Sequence, residues 1–430
     1  MYFGVRGAAA QRRSVKTWAR RLRSSTTKSA SRQLRTAIIY HWIAHYRGPV
    51  MRELCQSEQL ECVVFSDVET NEPALPSFSA EDFGVAGKWR EIAWKRIKNI
   101  WLPKGILWQR GVMGISGRPG FDCVIFLGNA YYLSTWLGAI VARITRKRVL
   151  FWTHGLIRDE SDIRSFIRVL FYHLSDGLLL YGKRAKQMLM DRGFSRENLY
   201  VIYNSLDYHE QVALRETMTD EKCVSLRRVC FSQPELPMVV SVGRLTAVKK
   251  IELLIDAAEV LRHRGVEINV LVVGDGPMRA DLESRTASRQ MTERVVFMGD
   301  VYEEGEVALA MVAADVCVVP GAIGLTAIHA MTYGTPVITH DNPDRQMPEY
   351  EAIVPGVSGE VFMEGDVEDL ATKIEVCLRG RRDGRYQRSV CWDIIDKYYN
   401  PRFQRMVIEM AVGGVAASDA ERGGEAACAH

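Results

Sequence analysis

A chain of 430 residues, 47% hydrophobic and 25% charged, is too long for one ordinary domain, has room for two or three, and has the composition of a soluble globular protein. Its net charge of +4 is unevenly placed: residues 1–35 hold ten Lys/Arg and no Asp or Glu, leaving 4 − 10 = −6 for the remainder. A mildly acidic body argues against nucleic acid as a partner. Nine cysteines with no CxxC pair and no His/Cys cluster at zinc spacing argue against a disulfide scaffold or structural zinc, and read as reduced thiols.

The basic stretch 1–35 is Arg- and Ser-rich and lacks the apolar core of a secretory signal. Three readings stay open for it: a disordered leader or a start codon placed too early, an arm resting on anionic lipid, or an organelle transit peptide. Beyond it, TAIIYHW reads as a strand, residues 49–56 as a helix and ECVVFSD as the next strand, with an irregular stretch over about 70–120. The run CVIFLGNAYYLSTWLGAIVA, Cys123 to Ala142, is uncharged and nominally long enough to span a bilayer. Gly128-Asn129 interrupts it after VIFL, so a buried strand, a turn and a buried helix are predicted, with no transmembrane helix. VLFWTH, a helix within ESDIRSFIRVLFYHLS, GLLLYG, a helix at KRAKQMLMDRG and YVIYNS complete the first half.

Charged residues 207–237, ending in QPELP, break the series and are predicted to be a linker. The alternation then resumes: MVVSVG and KKIELLIDAAEVLRHRG, INVLVVG and PMRADLESRTASR, VVFMGD and VALAMVAA, VCVVP and LTAIHAMT, and finally PVIT. Strand–helix units repeating in this way mean right-handed crossovers and parallel sheets covered on both faces. The predicted fold is α/β, with two doubly wound, Rossmann-like parallel-sheet domains facing a cleft and ligands at the C-terminal strand ends. The expected boundaries are a basic, disordered arm at 1–35, a first domain at 36–206, the linker at 207–237 and a second domain at 238–380. A helical segment at 381–410 and a disordered tail at 411–430 follow.

Three turns of the second domain carry chemistry. In SVGRLTAVKK, Gly243 lets the backbone turn closely and Arg244 and Lys249 leave the strand end. Two cations on such a loop suit a diphosphate, which Arg forks onto and Lys meets as a point charge; they equally suit a solvated basic loop. LVVGDGPM has the same form, with Gly274 and Gly276 in the turn and Pro277 at the helix start, and either faces the ligand or only connects elements. In PGAIGLTAIHAMTYGTPVIT the free N–H groups of Ile323, Gly324, Leu325 and Thr326 are expected to point at the cleft.

The order VGRLxxxK, VVGDGP, VVFMGDV and a glycine turn into HAMTYGTPVI resembles the family 4 retaining glycosyltransferases of GT-B fold, over the whole second domain. YHWIAHYRGPV, FWTHG and YVIYNSLD are similar to that family's first-domain landmarks. The resemblance implies that Arg244 and Lys249 hold the donor diphosphate and offset charge on the leaving group. It implies that His154 lies near the donor sugar, that His45, Tyr46 and Arg47 help admit the acceptor, and that the turn from Gly321 to Thr326 holds phosphates and sugar by backbone amides. Pro348-Glu349 is similar to the Pro-Glu that follows the family's Gly-x-Pro-Val strand, although HDNPDRQM intervenes.

Members commonly carry two glutamates flanking seven residues here, the first placed at the donor sugar and the second at the nucleotide ribose. This chain has Gly321 and His329 at those positions. A histidine can bond a ribose hydroxyl or phosphate through a ring nitrogen, or be a core residue; a glycine cannot replace a carboxylate. No Asp-x-Asp occurs in the chain, so leaving-group stabilisation is expected from cations and backbone dipoles, with no metal and no other cofactor. The implied activity is retaining transfer of a sugar from a nucleotide-diphosphate donor to a glycan or lipid-linked acceptor, in polysaccharide or glycolipid synthesis. The implied location is cytoplasmic, with peripheral contact at the inner membrane face through residues 1–35. The alternatives are a non-catalytic nucleotide-sugar-binding protein of the same fold and a nucleotide-sugar epimerase.

Overall fold

The computed structural model describes residues 32–69, 79–83, 87–156 and 163–419. Residues 1–31 of the basic arm and 420–430 of the tail lie outside that set. The first domain holds β1 (Leu34–Trp42), β2 (Leu60–Asp67), β3 (Trp94–Arg96), a hairpin of β4 (Asn99–Leu102) and β5 (Ile106–Gln109), β6 (Cys123–Leu127), β7 (Arg148–Thr153), β8 (Gly177–Leu180) and β9 (Leu199–Val201). The second holds β10 (Met238–Val242), β11 (Asn269–Val273), β12 (Val295–Gly299), β13 (Val316–Val318), β14 (Val337–His340) and β15 (Gly359–Phe362).

Apart from the hairpin, the strands form two parallel sheets, ordered β3-β2-β1-β6-β7-β8-β9 and β12-β11-β10-β13-β14-β15. Both are doubly wound and Rossmann-like, as the alternation predicts. The chain reverses direction across the sheet between β1 and β6 and again between β10 and β13, and ligand crevices open at such switch points. Helices cover both faces, so the strands read as apolar runs: Val149, Leu150, Phe151 and Trp152 of β7 are all fully buried. The helix Ile251–His263 buries Ile251, Leu254, Ile255, Ala258 and Leu261 at helical spacing. Cys123–Ala142 is a strand, a turn and most of the helix Leu133–Ile144. No helix of the described residues is long and apolar enough to cross a membrane.

Three segments differ from the sequence reading. Residues 207–237 contain the helices Tyr208–Glu216 and Asp220–Cys230. These pack on the second domain, where Arg227 donates to the Ala313 carbonyl at 2.6 Å and pairs with Asp315 at 2.9 Å. The strand β15, absent from that reading, closes the second sheet beside β14. Beyond the helix Arg388–Tyr398 the chain crosses back, and Pro401–Val412 lies against the first domain, with Ser57 donating to Glu409 at 2.6 Å and Arg148 donating to the Ala411 carbonyl at 2.6 Å. The first part of the expected tail is ordered on that surface: Ala417 is fully buried and the Val415 carbonyl accepts from Tyr200 at 2.7 Å.

The two crossings between domains are tied together. Tyr203, at φ 53°, stacks near Tyr399 at 4.7 Å, and its carbonyl accepts from Gln404, which accepts in turn from Ser205. The Asn204 amide reaches Glu349 of the second domain at 2.7 Å. Glu351 accepts from the N–H groups of Lys183 and Arg184 at the start of the helix Lys183–Asp191, and Arg184 pairs with Asp344. These contacts set the cleft's width.

Candidate functional site

The three glycine turns meet at the C-terminal ends of β10, β11 and β13. The N–H of Gly243 donates to the Val273 carbonyl at 2.9 Å, and a Cβ at Gly274 would lie 2.2 Å from the Gly243 carbonyl oxygen. Only glycine permits that approach, at a φ of 131°. The first turn also braces the third. Lys249 Nζ donates to the carbonyls of Ala322 at 2.7 Å and Ile323 at 3.2 Å, while Gly321 N–H returns a bond to the Lys249 carbonyl at 2.8 Å. Burial pulls the Lys249 ammonium below its usual range. Its first role here is structural: it locks the turn that the sequence reading gave to the phosphates.

Arg244 is exposed at the strand end and makes no ion pair among the described residues. A Cβ at its neighbour Gly243 would sit 3.9 Å from Thr326 Oγ1, which places the first turn beside the third. Of the four N–H groups expected to be free, that of Ile323 is taken, because Gln346 Oε1 accepts it at 3.0 Å. Gln346 Nε2 donates onward to Thr339 at 2.8 Å and to the His340 carbonyl at 3.2 Å, so this side chain anchors the turn from below. Gly324, Leu325 and Thr326 keep N–H groups with no backbone acceptor among the described residues, at the start of the helix Thr326–Thr332.

Gly321 is not simply a missing carboxylate. A Cβ there would fall 2.0 Å from the Val248 carbonyl oxygen and 2.7 Å from the Lys249 carbonyl carbon. The backbone of the first turn occupies the space that any side chain at 321 would need. His329 is likewise engaged. Its Nε2 lies 2.7 Å from Glu304 Oε1, which also accepts from Tyr333 at 2.6 Å and Gln211 at 3.1 Å. Burial pushes the Glu304 carboxyl up, but bonding to His329, Tyr333 and Gln211 together with the His329 charge outweighs it and holds the group below the usual carboxylate range.

Across the cleft, a cavity of about 420 Å³ opens at the C-terminal ends of β1, β6 and β7. Tyr46 and Arg47 line it; His45 is exposed on the short turn His45–Arg47 and does not. Arg47 is 6% exposed and its guanidinium stacks near Trp152 at 5.3 Å and Tyr181 at 4.7 Å, with Nη2 donating to the Tyr181 hydroxyl. Its Nη1 is buried and has no partner among the described residues. His154 follows β7, packs against Tyr181 at 4.6 Å and borders both this cavity and the crevice toward Gln346, Met347 and Pro348 of the second domain. Burial, with the Arg47 charge adding to it, pulls the His154 imidazole down to about 4, so at neutral pH it is an uncharged hydrogen-bonding group.

Between the two halves sits Glu349, 2% exposed, with Oε1 held by Asn204 and Oε2 buried without a partner among the described residues. Burial pushes its carboxyl up against the pull of Asn204, Arg47 and Lys249. Trp152, Tyr181, Gln346 and Glu349 are the members of this site whose contacts sequence reading did not supply. The aromatics closing the strand runs VLFWTH and GLLLYG were the available signal. Among the described residues no group of three or more His, Cys, Asp or Glu side chains is placed to hold a metal.

Residues 226–388 match the family of glycosyl transferases group 1. Sulfoquinovosyl transferase SQD2 of Arabidopsis thaliana is 32% identical over 160 residues, covering 36% of this chain and 29% of that protein. Alpha-monoglucosyldiacylglycerol synthase of Streptococcus pneumoniae is 27% identical over 193 residues, covering 44% and 42%. The chain thus spans less than half the length of either relative. In fold, HepE of Anabaena, solved in complex with UDP, superposes with a TM-score of 0.66 at 16% identity over 89% of this chain and all of that one. With the two facing Rossmann-like sheets, these findings describe a chain of GT-B fold whose residues 226–388 are similar to the glycosyl transferases group 1 family.

Proposed function

We propose that this protein is a metal-independent, retaining glycosyltransferase that moves a sugar from a nucleotide-diphosphate donor to a hydroxyl of a glycan or lipid-linked acceptor. The observation that carries this reading is the cradle itself: an unpaired Arg244 beside the N–H groups of Gly324, Leu325 and Thr326, on turns locked by Lys249 within the region similar to the group 1 family. Arg244 would fork onto the diphosphate, and the N–H groups would bond its oxygens as charge builds on the leaving group. Preorganised donors of this kind supply roughly 3–4 kcal/mol each. His154, uncharged at neutral pH, would bond a donor-sugar hydroxyl from the opposite wall. The acceptor hydroxyl would attack from the cavity side, and its proton would pass to the departing diphosphate on the same face. A lipid-linked acceptor, and peripheral contact of a cytoplasmic protein with a membrane, are in keeping with a relative named for a diacylglycerol product.

Calorimetric titration with UDP, GDP and ADP tests the reading. One nucleotide should bind, and Arg244→Ala should weaken it; binding of none of the three refutes the proposal. The closed space at Gly321, which leaves no room for a carboxylate side chain at that position, favours one second reading, a nucleotide-sugar-binding protein without transferase activity. Donor binding with neither transfer nor hydrolysis would establish that reading instead.

A further inference from the structure

Two neighbouring helices of the first domain turn apolar faces toward solvent. In Ile163–Tyr172, the residues Ile163, Phe166, Ile167 and Leu170 fall at i, i+3, i+4 and i+7 and are 75%, 66%, 44% and 52% exposed. In Leu133–Ile144, the residues Leu133, Leu137, Ile140 and Ile144 fall at i, i+4, i+7 and i+11 and are 43%, 43%, 40% and 75% exposed. Such spacing ordinarily marks the face that a helix buries. Here the buried side is the other one, made of Ser165, Phe171 and Tyr172 and of Ser134, Thr135, Gly138, Ala139 and Ala142.

The helices follow consecutive strands, β6 and β7, so right-handed crossovers put them on one side of the sheet. They touch: the Trp136 and Phe171 rings lie 5.0 Å apart, and Arg143 reaches Asp176 just past the second helix at 2.7 Å. The two stripes therefore make one patch. Single exposed apolar side chains are ordinary, but two aligned stripes are the mark of an interaction surface. Neither helix contains an Asp or Glu, and Arg146 and Arg164 are exposed around the patch; Arg143 is exposed too but is paired with Asp176. The first-domain cavity lies beside these helices, its lining including Tyr131 just before the first and Arg168 and Tyr172 of the second.

We propose that this face docks on an anionic phospholipid surface, with the leucines, isoleucines and Phe166 in the acyl boundary and the arginines at headgroup phosphates. A second copy of the chain fits less well. A two-fold pairing buries the same patch on both subunits and would set arginines against arginines. Docked in this way, the chain would hold the first-domain cavity close to the bilayer, within reach of a lipid-linked acceptor. That last step rests on the cavity being the acceptor side; the docking does not.

Flotation of the full chain with vesicles of phosphatidylcholine, with and without phosphatidylglycerol, tests the inference. The chain should float with the anionic vesicles. Phe166→Ser/Leu170→Ser and Leu137→Ser/Ile144→Ser should each lower that binding about tenfold or more, since each removes two large side chains from the docked face. Arg146→Gln/Arg164→Gln should lower it by a similar factor on anionic vesicles only. These positions are exposed, so thermal melting and nucleotide affinity should stay unchanged, which separates failure here from failure of the donor reading. Binding that survives in the apolar variants, as it would if residues 1–35 alone carried it, overturns the inference. So does no flotation of the parent chain, or a dimer in solution that the same variants abolish.

Discussion

Replacing Gly321 by alanine probes the packing between the first and third turns without adding charge. Three backbone atoms stand in the way of a Cβ: the Val248 oxygen at 2.0 Å, the Lys249 carbonyl carbon at 2.7 Å and the Lys249 Cα at 2.9 Å. Backbone cannot rotate aside as a side chain does, so the 247–250 turn must move as a unit. That movement strains the bonds from Gly321 N–H to the Lys249 carbonyl and from Ala322 N–H to the Val248 carbonyl, at 2.8 and 3.1 Å. Overpacking costs about 1–3 kcal/mol and a weakened backbone bond about 1 kcal/mol. A loss of about 2–4 kcal/mol follows, which for domains of this size lowers the melting temperature by about 5–15 °C. Thermal unfolding followed by circular dichroism, with nucleotide titration on the same samples, measures both consequences. Gly321→Glu should be at least as destabilised and should not gain transferase activity. A Gly321→Ala chain that melts with the parent, or a Gly321→Glu chain that folds normally and works faster, would refute the reasoning.

Arg244→Ala should weaken nucleotide-diphosphate binding by about tenfold to a hundredfold in calorimetry and leave the melting temperature in place, because the side chain is exposed and unpaired. Glu349→Gln should stabilise the chain at neutral pH and make no difference at strongly acid pH. The folded-state carboxyl is raised by burial, so its stabilising contribution is full below the unfolded value and lost as pH rises through the folded one; a melting difference constant from acid to neutral pH would contradict this. His329→Leu should lower stability by about 1–3 kcal/mol, since Glu304 loses a charged or hydrogen-bonding partner in a half-buried site. If instead the melting temperature holds and nucleotide affinity drops tenfold, His329 is a ligand contact.

The two sheets, their parallel sense and the position of the cleft were legible in the chain, because burial on both faces requires strands of nearly continuous apolar residues and helices of 3.6-residue period. Glycines at 243, 274 and 324 were legible as turns for a similar local reason. The linker helices Tyr208–Glu216 and Asp220–Cys230 were not. They lie mainly against the helix Glu304–Ala313, and Gln211 is the one residue of either helix that is buried, so they have little apolar pattern of their own. The strand β15 escaped for a related reason: GEVF is four residues with one glycine and one acid at a sheet edge.

At the site, sequence alone determined which residues occupy the turns, that Arg244 and Lys249 sit five apart after a strand, and that positions 321 and 329 carry no acid. Only the tertiary structure decided what those residues do. Lys249 braces carbonyls 73 and 74 residues away, His329 meets Glu304 from another helix, and Glu349 reaches Asn204 across the cleft. It also decided that residue 321 must be glycine, because the crowding comes from the backbone of a separate turn. Periodicity along a chain reports which face of an element is buried. It carries no record of which distant atom lies against that face, and the hydrogen bonds, burial and charge that set each group's chemistry all depend on that atom.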